Sequence, residues 1–383
     1  MERSDITVNL YTNFLFKNKM KKLRVILAAI IAVAGFSLTS CNNEKEETLD
    51  NYTRYQRAVD EQIKNDKKND KVILLVAFGS TWQQAFDAFD VTKAAYQKAF
   101  PGYDIYVSYS SAICINRAAA GEHKDEGAEV RNYYAPNFWL HGFGAAKYKE
   151  IVVQSLQVIP GEEFTRVINY IKDFANNSLG DIDDKYLSGV TIKLGMPLLA
   201  AEEDVKDVAK IIDNQYKAKA TEGVVAFMGH GNPDSYDTYK ANVRYNELEE
   251  ELQKYSPNYF VGTVDAPDNY KVQVLERMKE AGIESGKVYL HPLMSIAGDH
   301  AHNDMGGDDG KEMNPEEYEY NDDGEIEDLS WKCFFSQNGY TCGESELIMK
   351  GLLEVEPIRN VWVEHTKAAE TLEDYYHSMY PED

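Results

Sequence analysis

Two short stretches of this 383-residue chain hold the residue types from which metal and proton chemistry is built. The first is Phe227-Met228-Gly229-His230-Gly231-Asn232-Pro233. His230 follows an apolar run and is flanked by glycines, which let the backbone turn at once and let a ligand come close. An imidazole presented this way can be a metal ligand or a base near neutral pH. The alternative is a turn histidine bonded to its own backbone. The second stretch, Leu293–Gly307, reads LMSIAGDHAHNDMGG and holds Asp299, His300, His302 and Asp304 within six residues. Imidazoles and carboxylates this close suit a divalent first-row cation. They equally suit a solvated loop tied by hydrogen bonds. Residues 305–330 that follow are dense in Asp and Glu. Their spacing is not that of an EF-hand, so a solvated acidic loop is expected there, with cation gathering as the alternative.

Both stretches follow apolar β-branched runs, and the whole chain from Lys71 alternates such runs with amphipathic segments. Strands are predicted at 72–78, 104–109, 150–156, 190–194, 223–228, 259–264, 288–293 and 360–363. Helices are predicted at 81–100, 162–176, 201–217, 238–254 and 269–281, with another starting near Ser330-Trp331 and a last one from His365. A poorly patterned helix is expected before residue 150. This alternation implies an α/β fold with parallel sheets and right-handed crossovers. The two cycles also resemble each other. Leu156-Gln157-Val158-Ile159-Pro160-Gly161-Glu162 matches Leu293-Met294-Ser295-Ile296-Ala297-Gly298-Asp299. A duplicated unit follows, with an N-terminal half over 71–220 and a C-terminal half over 221–383 that carries the acidic insertion 305–330. Two such halves place their strand ends around a shared cleft, where open α/β sheets bind ligands.

At this point the sequence resembles a known family. VILLVAFGST, VVQSLQVIPGEEF, LGMPLL, FMGHGNPDSYDTY, GTVDAP, LHPLMSIAGDHAHNDM and SWKCFF look like the successive motifs of the anaerobic sirohydrochlorin cobaltochelatases. They occur in the same order and cover nearly all of residues 71–370. The resemblance implies two similar ferrochelatase-type halves, each a small parallel sheet flanked by helices, with a tetrapyrrole held between them. It implies ATP-independent insertion of a divalent metal, Co²⁺ first and Fe²⁺ second, into sirohydrochlorin. His230 matches the metal-binding histidine of the second half and would be the catalytic residue. Gln157 stands where the family carries a first-half histidine, and an amide is a poor Co²⁺ ligand that takes no proton at neutral pH. The family's ligand glutamate is expected at Glu202 or Glu203, with Asp265 another acid near the cleft. His141, His291, His300 and His302 are candidates for the second ligand. Phe78, Ser80, Asp265, Met294 and Asp299 are expected to line the tetrapyrrole cleft.

The N-terminus bears on where such chemistry would happen. Lys21, Lys22 and Arg24 precede an apolar run, Val25–Leu38, closed by Leu38-Thr39-Ser40-Cys41. The run is short for a membrane span, and the pattern resembles a bacterial lipoprotein signal over residues 1–40 with translation starting at Met20. Cleavage before Cys41 and lipidation of its thiol are implied, followed by a polar tether over 41–70. The formal net charge of -24 disfavours nucleic acid and anionic lipid headgroups and favours cations. Apolar residues make up 43% of the chain, enough for a sizeable core. A lipid-anchored protein of the cell envelope is therefore expected, periplasmic or on the outer-membrane surface. Its partners would be sirohydrochlorin or haem, the membrane through its anchor, and a second copy of the chain or an outer-membrane transporter. Exported relatives resemble haem-uptake components, so two further readings stand beside the chelatase: a haem-binding or iron-removing lipoprotein, and a metal-binding lipoprotein. Cys333 and Cys342 could pair in an oxidising space, or remain buried thiols.

Overall fold

The computed structural model describes residues 50–372, apart from 123, 124, 126, 127, 234–236, 238, 239 and 323. The signal segment, Met20 and Cys41 lie outside the described residues. The chain opens on helix α1 (Asn51–Asp66), capped by Asp50, whose carboxylate accepts from the Thr53 N–H at 2.9 Å. Val59 and Ile63 of α1 are fully buried. The polar tether expected to reach residue 70 is therefore helix over most of its second half. Its sparse apolar residues recur at helical spacing and pack on α4 (Pro136–Ala145), where Gly142 leaves no room for a Cβ beside Ile63.

Two sheets follow. The first joins β1 (Lys71–Ala77), β2 (Asp104–Tyr109), β3 (Glu150–Ser155) and β4 (Thr191–Gly195) in the order β2-β1-β3-β4, all parallel. The second joins β5 (Val224–Gly229), β6 (Tyr259–Thr263), β7 (Gly286–Pro292) and β8 (Tyr340–Thr341) in the order β6-β5-β7-β8, also parallel. The two orders are the same once strand n is matched to strand n+4, which is the topological form of the repeat read in the sequence.

The strands read as unbroken apolar runs because both faces are covered. Along β1, Ile73, Leu75 and Ala77 enter one core while Val72, Leu74 and Val76 enter another. Along β5, Val225 and Phe227 enter that same first core, and Val224, Ala226 and Met228 enter a third. The core holding Ile73 and Phe227 thus lies between the two sheets and belongs to both halves. The crossover helices α2 (Gln83–Ala99), α5 (Glu162–Ala175), α6 (Glu202–Glu222), α7 (Val243–Gln253) and α8 (Lys271–Glu280) cover the faces.

The poorly patterned region before β3 holds α3 (Ala112–Ala120) and α4. Helix α4 buries Trp139, Leu140, His141, Gly142, Phe143 and Gly144, so it has no broad polar face and no amphipathic period. Helix α9 (Trp331–Gln337) starts where expected, with the Ser330 hydroxyl accepting from the Cys333 N–H at 3.2 Å. The strand expected at 360–363 is instead the middle of α10 (Glu356–Lys367). Pro357 opens that helix, and Ile358, Trp362 and Thr366 recur at helical spacing on its buried side. Helix α10 returns to the first half, where Thr366 donates to Gln154 at 2.7 Å, and β9 (Glu370–Thr371) then pairs antiparallel to β4. Cys333 and Cys342 are buried free thiols. No helix of the described residues is long and apolar enough to cross a membrane.

Candidate functional site

The carboxyl ends of the central strands open on one cleft of about 380 Å³, within the size of small-molecule sites. Its walls come from the segment after each of five strands: Phe78–Thr81 after β1, residues of 111–117 after β2, residues of 157–163 after β3, His230–Asn232 after β5 and residues of 293–300 after β7. Phe78, Ile113, Val158, Ile159, Met294 and Ile296 make it apolar; Glu163, His230, Asp299 and His300 supply the acids and imidazoles.

His230 stands at the end of β5 because the local backbone permits nothing bulkier around it. Gly231 has φ +80, and a Cβ there would lie 2.6 Å from the Ala266 nitrogen. A Cβ on Gly229 would strike the Tyr245 ring at 2.4 Å. The His230 Nδ1 lies 2.8 Å from the Gly231 carbonyl oxygen, which can only accept, so Nδ1 carries the proton. Asp265 sits 3.5 Å from the same nitrogen. The lone pair of His230 therefore resides on Nε2. Burial and the neighbouring His300 pull its pKa below the ordinary histidine value, while Asp265 opposes them. The imidazole is neutral near pH 7, as a ligand or a base must be. Both sequence readings hold together here: the ring is bonded to its own backbone, and that bond frees the other nitrogen.

His300 is held differently. Its Nδ1 lies 2.5 Å from Asp304, and the two rings of His230 and His300 meet edge to face with centroids 4.8 Å apart. Burial lowers the His300 pKa, but the hydrogen bond and charge of Asp304 outweigh it and the net shift is upward. Asp304 lies on a π-helical turn, Ala301–Met305, and His300 immediately precedes it. His302 points elsewhere. Its ring stacks on Trp82 at 3.5 Å and 5°, and the Trp82 indole N–H donates to Asp299 at 2.7 Å. Trp82 thus clasps the second half from the first.

Gln157 lines the cleft but is 9% exposed. Its Oε1 accepts from the Ser155 hydroxyl, whose oxygen in turn faces the Gln157 N–H at 3.4 Å. Its Nε2 is buried without a partner. Beside it, the turn into α5 is docked on the His230 loop. The Glu162 N–H donates to Asn232 at 3.0 Å, and a Cβ on Gly161 would meet the Asn232 amide at 2.5 Å. That docking carries Glu163 into the cleft.

Several expected ligands are not there. Glu202 and Glu203 are exposed at the start of α6, and Glu202 pairs with Lys206 at 2.7 Å. The preceding Leu198 and Leu199 are buried and bond back to the Gln157 and Val158 carbonyls, which turns the chain away from the cleft. His141 is buried on α4 with its Nδ1 3.1 Å from Asp181. His291 is fully buried, accepts from the Tyr216 hydroxyl at 2.6 Å, and is pushed down to about 4 by burial. His230, Gln157, Glu202, His300 and His302 therefore do not converge as one ligand set. Among the described residues no three His, Cys, Asp or Glu side chains form a metal cage. The acidic insertion is tied to the second half through Lys332, which meets Asp308 at 3.2 Å, and through Lys271, which donates to the Ile326 carbonyl at 3.2 Å.

Sequence reasoning missed Glu163, Asn232 and Trp82. Glu163 was recoverable: extending the repeat by one residue pairs it with His300.

The family described as Cobalt chelatase (CbiK) matches residues 71–324. The chain is 26% identical over 300 residues to a sirohydrochlorin cobaltochelatase of Nitratidesulfovibrio vulgaris (strain Hildenborough), covering 78% of this chain and 90% of that protein. It is 24% identical over 302 residues to the sirohydrochlorin cobaltochelatase of Salmonella typhimurium, covering 78% and 96%. Among solved structures, SirB from Bacillus subtilis with Fe³⁺ aligns at 14% identity and a TM-score of 0.45, over 78% of this chain and 94% of that one.

Proposed function

The chain belongs to the cobalt chelatase (CbiK) family, and from that premise we propose that it inserts a divalent metal, Co²⁺ first, into a tetrapyrrole held in the cleft between its two sheets. The observation that carries this reading is His230. Its tautomer is set by Gly231, it is neutral near pH 7, and its open nitrogen belongs to a cleft with apolar walls. The reaction needs a flat slot for the macrocycle, a borderline ligand that releases its metal, and acceptors for the two pyrrole protons. Phe78, Ile113, Ile159 and Met294 suit the first need. His230 Nε2 suits the second need and, once the metal has left it, takes one of the two protons. The metal here is substrate, and a single imidazole with few helpers supports a loose hold better than a closed cage would. Gln157, on the resemblance drawn above, occupies the first-half histidine position; its unpartnered amide offers a hydrogen bond to the bound ring and cannot bind metal well.

The test is direct. Purified protein is mixed anaerobically with sirohydrochlorin and Co²⁺ or Fe²⁺, and the metallated absorption band is followed. Catalysed growth of that band is expected. A rate equal to the protein-free mixture would sink the reading.

One observation favours the haem reading as the second. Among the described cleft residues Arg117 is the one permanent cation. Sirohydrochlorin carries carboxylates on every pyrrole ring, and a strongly acidic chain with a single facing arginine suits a less anionic macrocycle better. Competitive titration decides between them: tighter binding of haem than of sirohydrochlorin is the result that this reading expects. Placement at the envelope rests on residues 20–41 and the implied lipidation of Cys41. Metabolic labelling with palmitate tests it, with Cys41→Ala as the unlabelled control.

A further inference from the structure

Inserting a divalent metal breaks two pyrrole N–H bonds, and both protons must go to groups that can reach the ring. His230 accounts for one. The other titratable groups among the described cleft residues are committed elsewhere. Asp299 accepts from the Trp82 indole at 2.7 Å. His300 is hydrogen-bonded to Asp304 at 2.5 Å and inclined to its charged form. Burial raises the Cys114 thiol and the Tyr245 phenol, so both stay protonated. Arg117 has no lone pair to offer, and the Gln157 and Asn232 amides are not bases.

Glu163 remains. It lies in the first turn of α5, set in place by the Gly161–Asn232 contact and by the Glu162–Asn232 hydrogen bond. It occupies, in the first half, the position that His300 occupies in the second.

We infer that Glu163 is a second catalytic base of the cleft, taking one pyrrole proton on its carboxylate, while His230 Nε2 takes the other after the ring nitrogens have drawn the metal off its lone pair. The balance is complete: two N–H bonds break, one O–H and one N–H bond form, and the metal replaces two protons without change of oxidation state. The environment suits the task. Burial raises the Glu163 carboxyl to about 7, with Arg166 pulling it down and Glu162 pushing it up. A base poised there exchanges protons readily at neutral pH.

The inference rests on the chelatase reading, and its test separates the two. Turnover of sirohydrochlorin with Co²⁺ is measured against pH for the wild type, Glu163→Gln and Glu163→Asp, and each variant's binding of metal-free sirohydrochlorin is measured by fluorescence quenching. The wild-type rate should rise with pH through about 7 as the carboxyl deprotonates. In Glu163→Gln the turnover number should fall by about 100-fold, the scale of one general base. Its rise near neutrality should vanish while macrocycle binding stays unchanged. Glu163→Asp should recover part of the rate and keep the rise. An active wild type with a Glu163→Gln variant of equal rate and identical pH profile would overturn the role of Glu163 alone. A wild type without turnover would overturn the chelatase reading, and this role with it.

Discussion

The two halves share one scaffold and differ in what they place at its edge. In the second half each cleft imidazole has a carboxylate or carbonyl on Nδ1: Gly231 and Asp265 for His230, Asp304 for His300. In the first half the matching strand ends carry Ser80, Gln157 and Glu163, a hydroxyl, an amide and an acid with no imidazole among them. The difference teaches that one strand order and turn geometry, which cores enforce, can carry different chemistry at the strand ends. A strand end is solvent-facing and tolerates change; a strand interior buried on both faces does not.

That asymmetry can be broken from either side. The largest effect is expected at His230. His230→Ala removes the one neutral imidazole with an open nitrogen among the described cleft residues, and metallation of sirohydrochlorin should fall to the uncatalysed rate. Activity that survives this change would return the chemistry to the first half.

Next comes the clasp. Trp82→Ala removes the stack on His302 and the hydrogen bond to Asp299. Loss of about 3 kcal/mol of unfolding free energy is expected from a truncation of this size. Denaturant unfolding measures it, and a single retained transition would show that the shared core still couples the halves.

His291 supplies a pH effect of similar size. Its folded pKa is about 4 against an ordinary 6.5, so the unfolded chain binds the proton first. Stability is therefore complete above about pH 6.5 and is lost as pH falls toward 4, by roughly 3 kcal/mol in all. In His291→Gln, which can still accept from Tyr216, that part of the pH dependence should disappear. The smallest effect is expected from Gln157→His. It gives the first half an imidazole facing the same cleft, and turnover should rise by about tenfold, less than the roughly 100-fold of a fully placed acid–base group. No gain would mean that Gln157 does not approach the metal.

Much of this was legible in the chain. Buried strands announce themselves by apolar β-branched runs, and the repeat from Leu156 and Leu293 located both cleft turns. Three things were hidden. Helix α10 was read as a strand at 360–363 because Val361-Trp362-Val363 is locally strand-like, and only the longer spacing of Ile358, Trp362 and Thr366 shows the helix. Glu202 was expected in the cleft because it follows LGMPLL, but buried Leu198 and Leu199 aim the chain outward. Trp82 reaches His302 across 220 positions, and no local pattern announces a contact of that range.

The central question is which nitrogen meets the metal. A crystal structure of the protein with Co²⁺ and a tetrapyrrole, with the metal located by its anomalous scattering, tests this most directly. A peak about 2.0–2.1 Å from His230 Nε2, the usual metal–imidazole distance, is expected. A peak in the acidic insertion, or at His302 with His230 left free, would contradict it.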